Sequence, residues 1–211
     1  MELKGLKIDF LGDSLTQGCR VPPETAFPAV AAKIAGFTAI NHGVGGSCIA
    51  RGTNAEEDKD WPPSFFDRID DLDIEADVII VCGGINDHGR GSAPIGNDSD
   101  RTPDTFYGAC HSIIITLLNK FPGKPIIFIT PMHYPEESLK NRHGQILKRY
   151  VNIIKEVCEE YSIPVCDIYA NSGIASTLKS QRPIYTADGA HPNVRGHEMI
   201  ASRLLGFLRN L

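Results

Sequence analysis

The sequence predicts an α/β fold, a three-layer α/β/α sandwich built on a five-stranded parallel sheet. Three observations carry that expectation. Short apolar runs recur along the chain, each cut off by Gly, Pro or a polar turn, as buried parallel strands are. Helical patterns lie between those runs, so strand and helix alternate five times. Neither an internal repeat nor a linker interrupts the alternation, so residues 1–211 are expected to form one domain.

The elements follow in order. Residues 8–12 form an apolar strand that stops at Gly12, and Asp13-Ser14 and Gly18 follow as a turn. Pro22-Pro23 leads into an Ala-rich helix over 26–35, closed by Gly36. Residues 37–41 make a second strand, followed by a glycine loop over 42–47. Residues 51–64 are irregular, with Trp61-Pro62-Pro63 turning into a short helix at 65–69. The clearest strand, 77–82, is cut by Gly83-Gly84 and opens a long loop over 85–102; loops of that length are usually functional. Thr102-Pro103-Asp104 starts a helix to about residue 120, and a fourth strand covers 125–130. Residues 141–161 form an amphipathic helix with Ile146, Tyr150, Ile153, Ile154 and Val157 on one face. A fifth strand at 163–168 precedes an irregular stretch, and Pro192-Asn193 opens a last helix to 208. A strand order of 2-1-3-4-5 makes strands 1 and 3 neighbours at the point where the order reverses. Ser14, Gly46 and the 83–86 loop then meet at one sheet edge.

Composition narrows the function. A 42% hydrophobic and 22% charged chain is ordinary for a globular protein, and a net charge of −5 argues against a phosphate-backbone partner. No run approaches a membrane span and no signal peptide is legible, so a cytoplasmic protein without a membrane partner is expected. Asn97-Asp98-Ser99 then reads as a chance sequon. The six cysteines are scattered and read as reduced thiols, with Cys48 in its Gly-rich loop the candidate for reactivity.

Ser14 stands where a doubly wound fold places chemistry, although a serine there also serves as a plain helix cap. Asp188 and His191 stand three apart, about one helical turn, where the carboxylate can accept the imidazole Nδ1 proton and leave Nε2 as a base. A cap and a surface histidine would leave the same pattern. Gly45-Gly46 and Gly83-Gly84-Ile85-Asn86-Asp87 are turn residues by composition, yet an exposed backbone N–H and a carboxamide are also what a developing oxyanion needs.

Four such blocks in one order resemble the SGNH hydrolases, the GDSL esterase/lipase family. Gly12-Asp13-Ser14-Leu15 matches the naming motif, and Asn41-His42-Gly43-Val44-Gly45-Gly46 the glycine-bearing block. Gly84-Ile85-Asn86-Asp87 matches the third block and Asp188-Gly189-Ala190-His191-Pro192 the last. The resemblance implies Ser14 as nucleophile, His191 as base, Asp188 as acid, and an oxyanion hole of Ser14, Gly46 and Asn86. It implies hydrolysis of a carboxylic ester through an acyl-enzyme, with neither a metal nor an organic cofactor.

The rivals are an acyltransferase with the same triad and a non-catalytic or mononucleotide-binding, flavodoxin-like protein. Ser14 is not in a G-x-S-x-G elbow, and Gly43-x-Gly45-x-x-Cys48 fails the dinucleotide fingerprint. His42, His88 and His133 each follow a strand and could reach the same rim; His191 and His197 lack H-E-x-x-H spacing, and no metal is expected. Loops 47–64 and 88–102 are expected to wall the pocket, with Asp13, Arg51, Trp61, His88 and Arg90 as substrate contacts. Their polarity suggests a short acyl, acetyl, group on a polar or carbohydrate alcohol. Trp61 serves equally as a loop anchor, and Arg51 and Arg90 would suit an anionic substrate.

Overall fold

The computed structural model describes residues 1–54 and 58–211. Five parallel strands form the sheet: β1 (Lys7–Gly12), β2 (Thr38–Gly43), β3 (Val78–Cys82), β4 (Ile126–Ile129) and β5 (Val165–Cys166). Their order is β2-β1-β3-β4-β5, the order expected of a fold of the resembled family. Side chains alternate across a strand, and here the alternation divides two cores. Ile8 and Phe10 of β1 and Val78 and Ile80 of β3 pack with Phe27, Ile200 and Leu204 on one face. Leu11, Ile79 and Val81 pack with Phe106, Ile113, Ile153 and Val157 on the other.

Helices cover both faces. Those of one or two turns are α1 (Ser14–Gln17), α3 (Ile85–Gly89), α6 (Ile168–Asn171) and α7 (Arg182–Tyr185). The longer ones are α2 (Phe27–Ala35), α4 (Phe106–Lys120), α5 (Leu147–Glu160) and α8 (Val194–Arg209). No helix among the described residues is long and apolar enough to cross a membrane.

Register positions the site. Gly12, the last residue of β1, pairs with Gly43 at the end of β2 and with Cys82 at the end of β3. Three strands therefore stop at one level, and the segments carrying Ser14, Gly46 and Asn86 leave side by side.

Several expected boundaries are displaced, three of them by a local hydrogen bond. The helix expected over 141–161 starts at Leu147, because the Asn141 side-chain oxygen accepts from His143 N and Gln145 N and closes a turn there. Ile146, expected on its buried face, instead stands 38% exposed at the cap. The helix expected from 102 begins at Phe106, where Thr105 Oγ1 accepts from Gly108 N. The fifth strand shrinks to two residues because Asp167 turns to cap α6. The 85–102 loop opens with α3, and β2 runs on through His42 and Gly43. Of the irregular 51–64 stretch, residues 55–57 lie outside the described residues.

Candidate active site

Ser14 is the first residue of α1, just beyond β1. Gly12 is required there, since a Cβ would stand 2.0 Å from Thr16 Oγ1. Asp13, not Ser14, caps the helix: its Oδ1 accepts from Leu15 N at 2.9 Å, which frees the Ser14 hydroxyl. Asp13 is buried, and that burial, with the Asp87 charge nearby, pushes its carboxyl up to about 7 against the Leu15 hydrogen bond.

Asp188 and His191 do not share a helical turn as their spacing suggests. They lie in a loop between α7 and α8, pinched by an antiparallel bridge from Thr186 to Pro192. Asp188 Oδ1 accepts from Ala190 N and His191 N, folding the loop around the carboxylate, and Asn193 caps α8 on Gly196 N. The Asp188 carboxylate and His191 Nδ1 are 2.8 Å apart, and His191 Nε2 lies 3.0 Å from Ser14 Oγ. Partial burial acts to raise the Asp188 carboxyl, but bonds from the His191 backbone and ring outweigh it and hold it below the usual carboxylate range. Arg20, at φ 74°, places its Nε 3.6 Å from the same carboxylate, a contact the sequence does not signal.

The glycine loop and α3 are tied together. Asn86 Nδ2 donates to Ser47 O at 3.0 Å, and the next residue, Asp87, accepts from Ile49 N and Ala50 N, both at 2.9 Å. Burial raises Asp87 to about 6 against those two bonds. Gly46 has φ 80°, and a Cβ there would meet Arg90 Nη1 at 2.6 Å, so only glycine lets the loop pass. Its N–H donates to no acceptor among the described residues. Beneath the loop, the buried Arg68 guanidinium donates to Gly12 O, His42 O and Ser47 Oγ, joining the ends of β1 and β2 to the loop. Sequence reading misses Arg68, which stands in an acidic run that looks like surface.

A cavity of about 240 Å³ opens over Ser14 and His191, with Asn86 and Arg90 on its wall and Leu15, Ile85, Pro131 and Met132 giving it an apolar side. Of the expected substrate contacts, Asp13 and Arg90 line this cavity. His88 does not: it is buried, with Nδ1 2.6 Å from Tyr134 Oη and Nε2 3.0 Å from Leu139 O, so it braces the wall from behind. Arg51 is also displaced. It pairs with Asp67 and lines a separate hollow that it shares with Trp61. The Arg90 guanidinium stacks 4.0 Å over the Trp61 ring, so Trp61 reaches the cavity only through Arg90. Cys48 is buried, which pushes its thiol far above the ordinary range and makes it unreactive. His42 pairs with Asp9 and His133 with Glu137, so the other strand-end histidines have protein partners.

The comparisons with known proteins agree with this architecture. The model of the GDSL-like Lipase/Acylhydrolase family matches residues 10–199. One solved structure is 32% identical, covers 100% of this chain and 99% of its own, and superposes with a TM-score of 0.89. A protein from Lactobacillus plantarum is 27% identical over 99% of this chain and 98% of its own, with a TM-score of 0.87. A possible lipase from Chitinophaga pinensis DSM 2588 shares the fold at 23% identity and a TM-score of 0.74, over 97% of this chain and 98% of its own. No curated protein matches the sequence. The family match takes in the β1 turn, the glycine loop, α3 and the Asp188–His191 loop alike, and this chain, a carboxylic ester hydrolase, belongs to the GDSL-like lipase/acylhydrolase family.

Proposed function

We propose that the protein hydrolyses short-chain carboxylic esters of polar alcohols through an acyl-enzyme on Ser14. The observation that carries the reading is the continuous chain from Ser14 Oγ to His191 Nε2 at 3.0 Å and from His191 Nδ1 to Asp188 at 2.8 Å, at the floor of the cavity. Ser14 Oγ attacks the ester carbonyl while His191 Nε2 takes its proton, and Asp188 holds the imidazolium. The N–H groups of Ser14 and Gly46 and the Asn86 carboxamide receive the oxyanion. Collapse releases the alcohol with the proton from His191. Water then attacks the acyl-enzyme, His191 takes its proton, and the bond to Ser14 Oγ breaks as His191 returns that proton to it, releasing the acid.

The apolar side of the cavity suits a small acyl chain, and Arg90, stacked on Trp61, puts a cationic donor on the wall for the alcohol. An acetyl ester of a carbohydrate fits that division, with Arg90 donating to its hydroxyls. The test is hydrolysis of p-nitrophenyl acetate, butyrate and octanoate by wild type and Ser14→Ala. Turnover that favours the two short esters and vanishes in the variant is the expected result. A preference for octanoate would overturn the short-acyl assignment, and undiminished turnover in Ser14→Ala would overturn the nucleophile.

A further inference from the structure

Among the described residues, one group of ligating side chains lies away from the Ser14 cavity. Asp98, His111 and Glu160 present ligand atoms that all fall within 4.8 Å of one another. They come from three segments: the loop before α4, the buried side of α4, and the last residue of α5. His111 is wholly buried, yet its Nε2 has no hydrogen-bond partner. That nitrogen points at Asp98 Oδ1 from 3.4 Å, without forming a hydrogen bond. A buried ring nitrogen left without a partner calls for an explanation, and an ion is one of the few available.

We propose that Asp98, His111 and Glu160 bind a zinc ion through His111 Nε2 and one carboxylate oxygen from each acid. The other ring nitrogen supports this choice. His111 Nδ1 lies 3.0 Å from Tyr161 Oη, so an Nδ1–H donated there fixes the tautomer and leaves the Nε2 lone pair for the metal. One imidazole with two carboxylates suits zinc, whereas calcium and magnesium take oxygen ligands. Zinc bonds of about 2.0–2.1 Å in tetrahedral geometry put ligand atoms about 3.3 Å apart. The group must therefore close somewhat, which the exposed Asp98 and Glu160 side chains can do by rotating. Arg101 Nη2 lies 3.3 Å from Glu160 Oε1, so the ion shares Glu160 with a guanidinium and binds less tightly than in a four-ligand structural site. The three protein ligands leave a fourth position for water. The site staples the segment before α4 to the end of α5 and takes no part in the chemistry at Ser14.

Zinc titration of the EDTA-stripped protein by calorimetry, with thermal melts in parallel, tests this. Asp98→Asn and Glu160→Gln change exposed side chains and leave the buried imidazole in place. The expected result is one zinc per chain, with each variant weakened about tenfold or more. Zinc should raise the melting temperature of wild type more than that of either variant at the same concentration, and calcium should raise none of them. Anomalous scattering at the zinc edge should place the ion beside His111 Nε2. Absence of zinc binding, wild-type zinc affinity in both variants, or an ordinary water beside His111 would each overturn the proposal.

Discussion

Ser14 owes its reach to its neighbours. Gly12 lets the chain turn under Thr16, and Asp13 takes the capping bond that would otherwise occupy the hydroxyl. Asp188 likewise spends one oxygen on the backbone of its own loop and the other on the imidazole. Asp188→Asn keeps the backbone bonds but loses the tautomer preference, so kcat on p-nitrophenyl acetate should fall about 10⁴-fold. In the proposed mechanism Asn86 is an oxyanion donor, so Asn86→Ala should lower kcat by about 10²–10³ with KM little changed. A drop in KM-controlled affinity alone would place Asn86 outside the oxyanion hole. At this scale the sequence is most legible where side-chain chemistry is local: the spacing of Asp188 and His191 is written in the chain, though the loop that aligns them is not. Arg68 is illegible, because what makes it central is the carbonyls of two distant strands.

The helix boundaries show where local pattern stops being decisive. The apolar period of α5 continues back to Ile146, but Asn141 folds the preceding residues into a turn, and hydrogen bonding overrides the period. Helix α2 shows the reverse case, an end completed from far away. Its cap residue, Ala26, has no side-chain acceptor, and His197 Nδ1 on α8 accepts from Phe27 N at 3.1 Å instead. His197→Leu should therefore destabilise the protein by about 1–3 kcal/mol in urea unfolding, the cost of a buried N–H left unpaired. Burial, helped by the nearby His191, lowers the His197 pKa from 6.5 to about 4. The folded state keeps this ring neutral while the unfolded chain charges it. Its contribution to stability is thus present above about pH 6.5 and is lost as pH falls toward 4. Between pH 6.5 and 4 wild type should therefore lose stability relative to His197→Leu, the difference between the two proteins reporting this group.

Over the whole molecule, strand register converts scattered motifs into one site, because Gly12, Gly43 and Cys82 stop at the same level. The alternation of apolar runs and helices makes the parallel sheet legible, while the order 2-1-3-4-5, and with it the edge where the blocks converge, follows from the family resemblance. The pocket walls are not legible, since loop contacts such as His88 to Leu139 or Arg90 over Trp61 join residues with no pattern between them. The same convergence buries two carboxyls at the strand ends. Asp13 is raised from 3.8 to about 7 and Asp87 to about 6, so the folded state holds protons that the unfolded chain releases. Their contribution is fully present below about pH 3.8 and is lost as pH rises through 6 and 7, opposite in sign to His197. With His197→Leu the opposing contribution shrinks to that of the buried His88, whose pKa burial also lowers, so stability should fall between pH 4 and 7 more steeply than in wild type in urea titrations. The account rests above all on Ser14 as the acylated residue. Treating the protein with a fluorophosphonate and mapping the adduct by peptide mass spectrometry tests this directly. One phosphonyl group on the peptide bearing Ser14, absent in Ser14→Ala and sharply reduced in His191→Ala, is the predicted result. Labelling that persists in Ser14→Ala, or falls on another residue of the wild type, would contradict it.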